Sequence, residues 1–330
     1  MTRKWVGQCL GSMPSPDTYC ESLVRDRVNN ILRPSGALKE LDEVAIWVAQ
    51  WQATTSPAVE KPAAIVFAAD HGVAQHGVSA YPSDVTAAML KAYREGKSTL
   101  SAFATVAGAT VNAIDVGVGK PTNDIRFESA MSKMRLDDSL DAGRKAVEAV
   151  DADLLVIGEM GIGNTTVAAA LATSLLGGLP SEWVGRGTGV DSDGFARKIS
   201  AVELATSRIQ TTEEPLEILR EVGGAELAAM VGAILAARMR RLPVVLDGYV
   251  VTTAALVLHK LEPTALDHCW IGHCSAEPGH RKVISHLGKP HLLDLNMRLG
   301  EGSGAMAAVP LIKMACLGVT DVPTFAEWFG

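Results

Sequence analysis

Apolar residues are arranged along this chain in two alternating patterns. Short β-branched runs recur as "PAAIVFAAD" (62–70), "ATVNAIDVG" (109–117), "DLLVIGE" (153–159), "PVVLDG" (243–248), "HCWIGH" (268–273) and "HLLDL" (291–295), and they read as strands. Between several of them lie longer, often Ala-rich segments, over 84–106, 165–177, 192–209, 224–240, 249–259 and 279–287, that read as helices. Strands and helices in alternation predict an α/β fold with a doubly wound parallel sheet, joined by right-handed crossovers and covered by helices on both faces.

The ends depart from this alternation. Residues 17–52 look helical, with Leu23, Val28, Ile31, Leu38, Leu41, Ile46 and Trp47 as the apolar positions, and an Ala-rich helix is expected near 304–317. The pattern therefore divides the chain into helical parts at 1–55 and 304–330, expected to pack as a small subdomain, around an α/β domain at 60–303. "ATTSPAVEKP" (53–62) is the expected linker. No internal repeat or low-complexity tract stands out.

Composition narrows the class. The chain has 330 residues, 48% hydrophobic and 20% charged, and reads as compact and soluble. A net charge of -7 argues against nucleic acid as a partner, because displacing condensed counterions needs a basic stripe. The longest apolar runs fall short of the roughly 20 residues that span a bilayer, so no membrane partner is expected. The first residues carry Arg3 and Lys4 but no sustained apolar stretch, and the five cysteines are scattered and odd in number. Both features favour a reducing cytoplasm.

In open parallel sheets ligands bind beyond the carboxyl ends of the strands, where helix N-termini point free N–H groups inward. The residues at or just after those ends are Asp70, Asp115, Glu159, Asp247, His273, Ser275 and, after the last strand, Glu301. Acids at such places also serve as N-caps. "GEMGIGNTT" (158–166) spaces Gly158 and Gly163 like a phosphate-binding P-loop, yet Asn164 and Thr165 stand where that motif needs Lys and Ser or Thr. Glycines, hydroxyls and a helix start without the lysine fit a monophosphate better than a magnesium triphosphate.

Three further segments bear on chemistry. "GRGTGVDSDGFARKI" (185–199) brings Lys198 into an otherwise acidic chain, where a lysine is also at home on a solvated helix face. "HCWIGHCSAEPGH" (268–280) groups His268, Cys269, His273 and Cys274, but the spacing matches no zinc motif, and neighbours on a strand point to opposite faces. No metal is expected there. "NMRLGEGSGAMAAVPL" (296–311) sets Glu301 between two glycines before a helix: either a base with a raised pKa or a first-turn acid on the helix dipole.

Taken together, "AADHGVAQHGVSAYPSDVT" (68–86), "GEMGIGNTT", "GRGTG", "GGAELAAMVGA" (223–233), "LDGYVVTTAAL" (246–256), "GHCSAEPGH" (272–280) and "LGEGSGA" (299–305) resemble, in order, the nicotinate-nucleotide:dimethylbenzimidazole phosphoribosyltransferase family. The resemblance implies a Rossmann-like sheet, a small helical domain from both termini and a homodimer. It also implies substrates, nicotinate mononucleotide and a benzimidazole-type base, and a reaction in cobalamin lower-ligand synthesis that yields alpha-ribazole 5'-phosphate and nicotinate without cofactor or metal.

On that resemblance Glu301 is the catalytic base and Glu159 binds ribose or stabilises charge at its C1'. Gly161, Gly163, Asn164, Thr165 and Lys198 surround the phosphate, with Asp247, Gly248 and Ser275 on the same phosphate and ribose side. Tyr81, Met89 and Leu299 belong to the base pocket. Family members carry a small polar residue at the place of Tyr81 and a glutamine at that of Met89, so the preferred acceptor is left open. The rival readings are a ribose-pyrophosphate-dependent phosphoribosyltransferase and a non-catalytic nucleotide sensor.

Overall fold

A computed structural model describes residues 2–209 and 214–330. Six strands, β1 (Pro62–Ala69), β2 (Thr110–Gly117), β3 (Leu154–Met160), β4 (Val244–Leu246), β5 (Cys269–His273) and β6 (His291–Leu293), form one sheet in the order β2-β1-β3-β4-β5-β6. Every adjacent pair is parallel. The doubly wound α/β expectation holds, and all six strands fall where the apolar runs put them.

The helices up to the third strand are α1 (Thr2–Leu10), α2 (Thr18–Asn30), α3 (Lys39–Gln52), α4 (Val85–Arg94), α5 (Thr99–Ala107) and α6 (Lys133–Glu148). Next come α7 (Asn164–Leu176), the short α8 (Pro180–Trp183), α9 (Ser192–Arg208), α10 (Pro215–Val222) and α11 (Ala225–Met239). The last are α12 (Tyr249–Leu261), α13 (Pro278–Leu287), α14 (Ser303–Thr320) and the short α15 (Phe325–Phe329).

Alternate strand residues feed two cores. Ile65, Phe67, Leu155, Ile157, Val244, Leu246 and Ile271 face the layer that contains α6, α7, α11 and α12. Ala64, Val66, Leu154, Val156 and Val245 face the opposite layer, where Val44, Trp47 and Trp51 of α3 meet Met306, Val309 and Ile312 of α14. In β1, β3, β4 and β5 both faces are buried, which is why these strands read as unbroken apolar runs, whereas the edge strands β2 and β6 are part-exposed. The helices near the two termini, α2, α3 and α14, pack on one another and on this second face. Helix α1 goes to the other face, burying Val6 and Cys9 beside α6.

Several elements differ from the sequence expectation, among them α1, α8, α10 and α15, which no apolar pattern announced. The single helix expected over 84–106 is two, because Gly96 takes a left-handed φ of +69° and the Ser98 side chain caps the second piece at Ser101. Helix α6 was not expected: its buried positions Leu136, Leu140, Gly143 and Val147 lie among charged residues. It is held by close approach. A Cβ on Gly143 would stand 1.8 Å from the Ala229 carbonyl oxygen of α11, and one on Gly232 of α11 2.0 Å from that of Leu140.

Candidate active site

The strand order reverses between β1 and β3, since the chain passes from β1 outward to β2 and then back across to β3. Ligand crevices in such sheets form beyond the strand ends at this switch point. A cleft with about 640 Å³ of space, open mouth included, lies on the β3 side of this point, among the loops after β3, β4, β5 and β6. Helices α7 and α12 begin at its wall with Gly163 and Gly248 as N-caps, and neither N-cap supplies a side chain to its first turn. In α7 the Asn164 and Thr166 N–H groups are already taken by the Gly161 and Gly163 carbonyls, which leaves the start of α12 as the freer set of donors for an anion.

The loop after β6 carries Glu301 into the cleft. Glu301 has φ +70° and stands between Gly300 at +82° and Gly302 at +87°, three left-handed residues in a row. A non-glycine residue held there is a mark of local constraint. Gly302 caps α14, and the buried Asp247 carboxylate accepts the N–H groups of Gly302 (3.1 Å) and Ala305 (2.8 Å). On the opposite side the Glu301 carbonyl presses on β3, where a Cβ on Gly158 would stand 2.4 Å from it. Gly158 thus serves the Glu301 loop and not a phosphate cradle.

The Glu301 side chain is 7% exposed, and its Oε2 is buried with no hydrogen-bond partner. Burial raises its carboxyl to about 7, with the nearby Tyr93 hydroxyl opposing and Asp247 adding to the rise. The Tyr93 hydroxyl is itself buried without a hydrogen-bond partner. Glu159, at the end of β3, lies beside Gly300: a Cβ there would be 2.7 Å from Glu159 Oε1. Burial, then the charges of Glu226 and Asp247, raise the Glu159 carboxyl to about 8 against a hydrogen bond from Asn164 Nδ2.

The two carboxyls therefore contrast with Asp247. Burial would raise Asp247 as well, but His273 at 3.3 Å and the N–H groups of Ala305 and Gly248 hold it below the usual carboxylate range. His280 is kept neutral down to about 3 by burial and the neighbouring His273. Its Nδ1 accepts the N–H of Ser275 at 2.9 Å and lies 2.9 Å from the Ser275 hydroxyl, so Ser275 is oriented at the cleft wall.

At the far side Lys198 Nζ donates to Thr165 Oγ1 at 2.9 Å. Burial lowers the Lys198 ammonium to about 8, with Glu277 opposing. Gly187, at φ +53°, makes room for this contact: a Cβ there would meet both Lys198 Nζ and Thr165 Oγ1 at 3.0 Å. Glu277 Oε1 accepts the Gly187 N–H at 3.0 Å, and Arg298 Nη1 donates to the Gly187 carbonyl at 3.2 Å.

A family model described as a phosphoribosyltransferase matches residues 13–328. The nicotinate-nucleotide–dimethylbenzimidazole phosphoribosyltransferase of Methylorubrum extorquens is 46% identical over 316 residues, covering 95% of this chain and 92% of that protein. The protein of the same name from Methylocella silvestris is 46% identical over 323 residues, covering 98% and 94%. The crystal structure of CobT from Thermus thermophilus superposes with a TM-score of 0.90 at 41% identity, covering 94% of this chain and 98% of that one. The chain belongs to this phosphoribosyltransferase family. It is an enzyme of the phosphoribosyl-transfer class.

Within this phosphoribosyltransferase the cleft wall brings together Glu159, Gly161, Asn164, Thr165, Gly248, Ser275, Leu299 and Glu301 from the residues singled out in the sequence. Five others stand elsewhere. Lys198 is 1% exposed and sits behind Thr165 rather than in the wall. Asp247 is wholly buried and committed to the α14 N-terminus. Gly163 is the left-handed N-cap of α7, turned toward Ala74 and Val78. Tyr81 is 54% exposed on the loop before α4, outside the wall. Met89 is partly buried on the α4 face shared with Thr86, which accepts the Ile162 N–H, and Tyr93, so it underlies the cleft without lining it.

The wall also holds His273, which the sequence placed at a strand end without a role, and Tyr249, Glu277 and Arg298, which sequence reasoning did not assign. Tyr249, His273 and Glu277 belong to the quoted motif stretches, and Arg298 stands one residue before "LGEGSGA". Glycines flanking them were the available signal, since Gly185 and Gly279 leave no room for a Cβ beside Glu277 and Tyr249. Among the metal-type residues, His268 Nε2 is occupied by the Ile234 carbonyl at 3.0 Å. Cys274 does group with His291 and Asp294, but Asp294 is ion-paired to Arg281 at 2.9 Å.

Proposed function

We propose that this enzyme transfers the phosphoribosyl group of nicotinate mononucleotide to 5,6-dimethylbenzimidazole or a related base in cobalamin lower-ligand synthesis, with Glu301 as general base. Support comes from the names of its relatives and, for the base, from one observation: an unpaired buried carboxyl held near 7 on the cleft wall. One benzimidazole nitrogen attacks ribose C1' while Glu301 takes the proton from the other. The C1'–N bond to the pyridinium breaks, and its electron pair neutralises the ring nitrogen, so nicotinate leaves without a general acid. Attack opposite the leaving group inverts the beta nucleotide to alpha-ribazole 5'-phosphate.

Glu159 faces the ribose, where a carboxylate stabilises positive charge developing at C1'. A pyridinium cation arriving beside it favours its ionised form. The phosphate is assigned to the N-termini of α7 and α12, to Ser275 and to Thr165, with Lys198 acting through Thr165. The heterocycle lies against Leu299 beside Glu301. Tyr81 and Met89 are assigned to the approach to that pocket, and the acceptor they select is read from a panel of bases. A cytoplasmic homodimer belongs to the same reading and is checked by sedimentation.

The test is nicotinate release from nicotinate mononucleotide, followed for a panel of benzimidazoles, purines and phenols in metal-free buffer. A Glu301→Gln enzyme that binds the nucleotide but still transfers at the parent rate ends the assignment of the base.

A further inference from the structure

Behind the cleft lies a buried histidine–glutamate hydrogen bond that the reaction above does not use. His71, just past the end of β1, meets Glu226 in the first turn of α11, with Nε2 and Oε1 2.7 Å apart and neither side chain exposed to solvent. The two residues are 155 positions apart and come from "AADHGVAQHGVSAYPSDVT" and "GGAELAAMVGA". Each keeps one buried polar atom without a partner, His71 Nδ1 and Glu226 Oε2. A buried pair with half its valences unmet is a poor device for stability alone, because desolvation offsets most of its attraction.

Its place in the fold gives it a different use. Gly161 of the cleft wall rests on it: a Cβ at 161 would stand 3.0 Å from His71 Nε2. Gly224 closes the other side, where a Cβ would fall 2.4 Å from His71 Cε1 and 2.6 Å from Glu226 Oε2. The pair thus fills the space directly beneath the loop that follows Glu159. We propose that His71 and Glu226 are positioning residues for the reacting centre: the imidazole supports the Gly161 turn, and the Glu226 carboxylate presents a second negative charge to Glu159 and to the ribose in front of it.

The charge of Glu226 is, after burial, the largest influence raising the Glu159 carboxyl. The other groups facing Glu159 are Asp247 from β4, Glu301 from the loop before α14, Asn164 from α7 and Tyr93 from α4. Glu226 is faced in turn by His71 and by Arg135 of α6. A second carboxylate in this row deepens the negative potential at C1', where the oxocarbenium-like sugar needs it. This inference rests on the proposed reaction for its purpose, but not for its test.

The experiment is carboxyl-carbon NMR of protein labelled in glutamate, with the Glu159 signal identified by its loss in Glu159→Gln. In Glu226→Gln, which keeps the shape and a hydrogen bond to His71, the Glu159 midpoint is expected to fall by about one pH unit. kcat is expected to drop about tenfold with KM for the base unchanged. If that variant does not fold, His71→Gln is the second probe: it strips Glu226 of its partner, and the Glu159 midpoint is expected to rise. A midpoint that stays at the parent value in a folded variant overturns the proposal, as a purely structural pair would leave it there. Turnover by the parent enzyme decides the reaction separately, so either idea can fail alone.

Discussion

The two ends of the sheet make a useful comparison, because each buries charge and the signs are opposite. Beyond the carboxyl ends of the strands lie Glu159, Glu226, Asp247, Glu277 and Glu301, all nearly inaccessible. At the other end Arg238 is 3% exposed and His268 fully buried, with Arg241 and Lys289 close by. Helix N-termini converge on the acidic end, and the last turn of α11 delivers Arg238 to the basic one. Each sign therefore lies where the peptide dipoles favour it.

What differs is how the charges are answered. Arg238 lays its guanidinium over the Trp51 ring at 4.2 Å and reaches Asp267 at 3.9 Å, while burial and Arg238 keep the His268 imidazole well below its ordinary pKa. Those contacts fasten α3 to α11 and to the turn before β5, while Arg238 Nε and Nη1 stay buried without a hydrogen-bond partner. At the acidic end Asp247 and Glu226 have histidine partners, whereas Glu301 has no hydrogen bond at Oε2 and Glu159 has only an amide. Both ends keep unpartnered buried polar atoms, but only at the acidic end do carboxyls with raised pKa line an open cleft, which marks it as the ligand end.

This contrast can be broken or sharpened by substitution, starting with the largest effect. Glu301→Gln is expected to lower kcat by about 10²- to 10⁴-fold with nucleotide affinity nearly unchanged, measured by nicotinate release and by calorimetric titration. Lys198→Met removes the buried cation behind Thr165 and is expected to weaken nucleotide binding by about 10- to 100-fold, since hydrogen bonds to charged groups are worth about 1.5–3 kcal/mol. Unchanged affinity would remove Lys198 from the phosphate side.

The next effect is in stability. Glu159 and Glu301 hold protons in the folded state up to about 8 and about 7, which the unfolded chain releases near the ordinary carboxylate value. Below about pH 6.5 the neutral His268 and His280 of the folded form offset these extra protons, so the folded form binds more protons chiefly between about pH 6.5 and pH 8, and stability falls as pH rises through that window. Thermal unfolding midpoints across this range should show the decline, and it should flatten in Glu159→Gln and Glu301→Gln. Least effect is expected at the basic end: Arg238→Met keeps the packing on Trp51 and should change stability by no more than about 1 kcal/mol, with turnover unaltered. A large loss of activity there would erase the distinction between the two ends.

Much of this was legible in residue order. Strands buried on both faces show as continuous apolar runs, so β1, β3, β4 and β5 could be read directly, and the residues ending β3 and β5 pointed at the cleft. Helix α6 could not be read in the same way, because Gly143 and Gly232 pack backbone against backbone and leave few apolar side chains to count. Gly158 was misleading for a related reason. Its spacing to Gly163 imitates a phosphate loop, while its actual neighbour is the Glu301 carbonyl, 143 residues later in the chain.

Local periodicity and turn chemistry determined the alternating elements, the parallel sheet and the set of polar residues delivered to one edge of it, since these depend on neighbours a few positions apart. Which carboxyls are answered and which are not was decided only by the tertiary structure. Asp247 became a helix cap, Glu226 found His71 and Lys198 withdrew behind Thr165, whereas Glu159 and Glu301 were brought side by side without a cation. Desolvation and long-range charge set those protonation states, and both depend on what the fold packs around a side chain rather than on what precedes it in the chain.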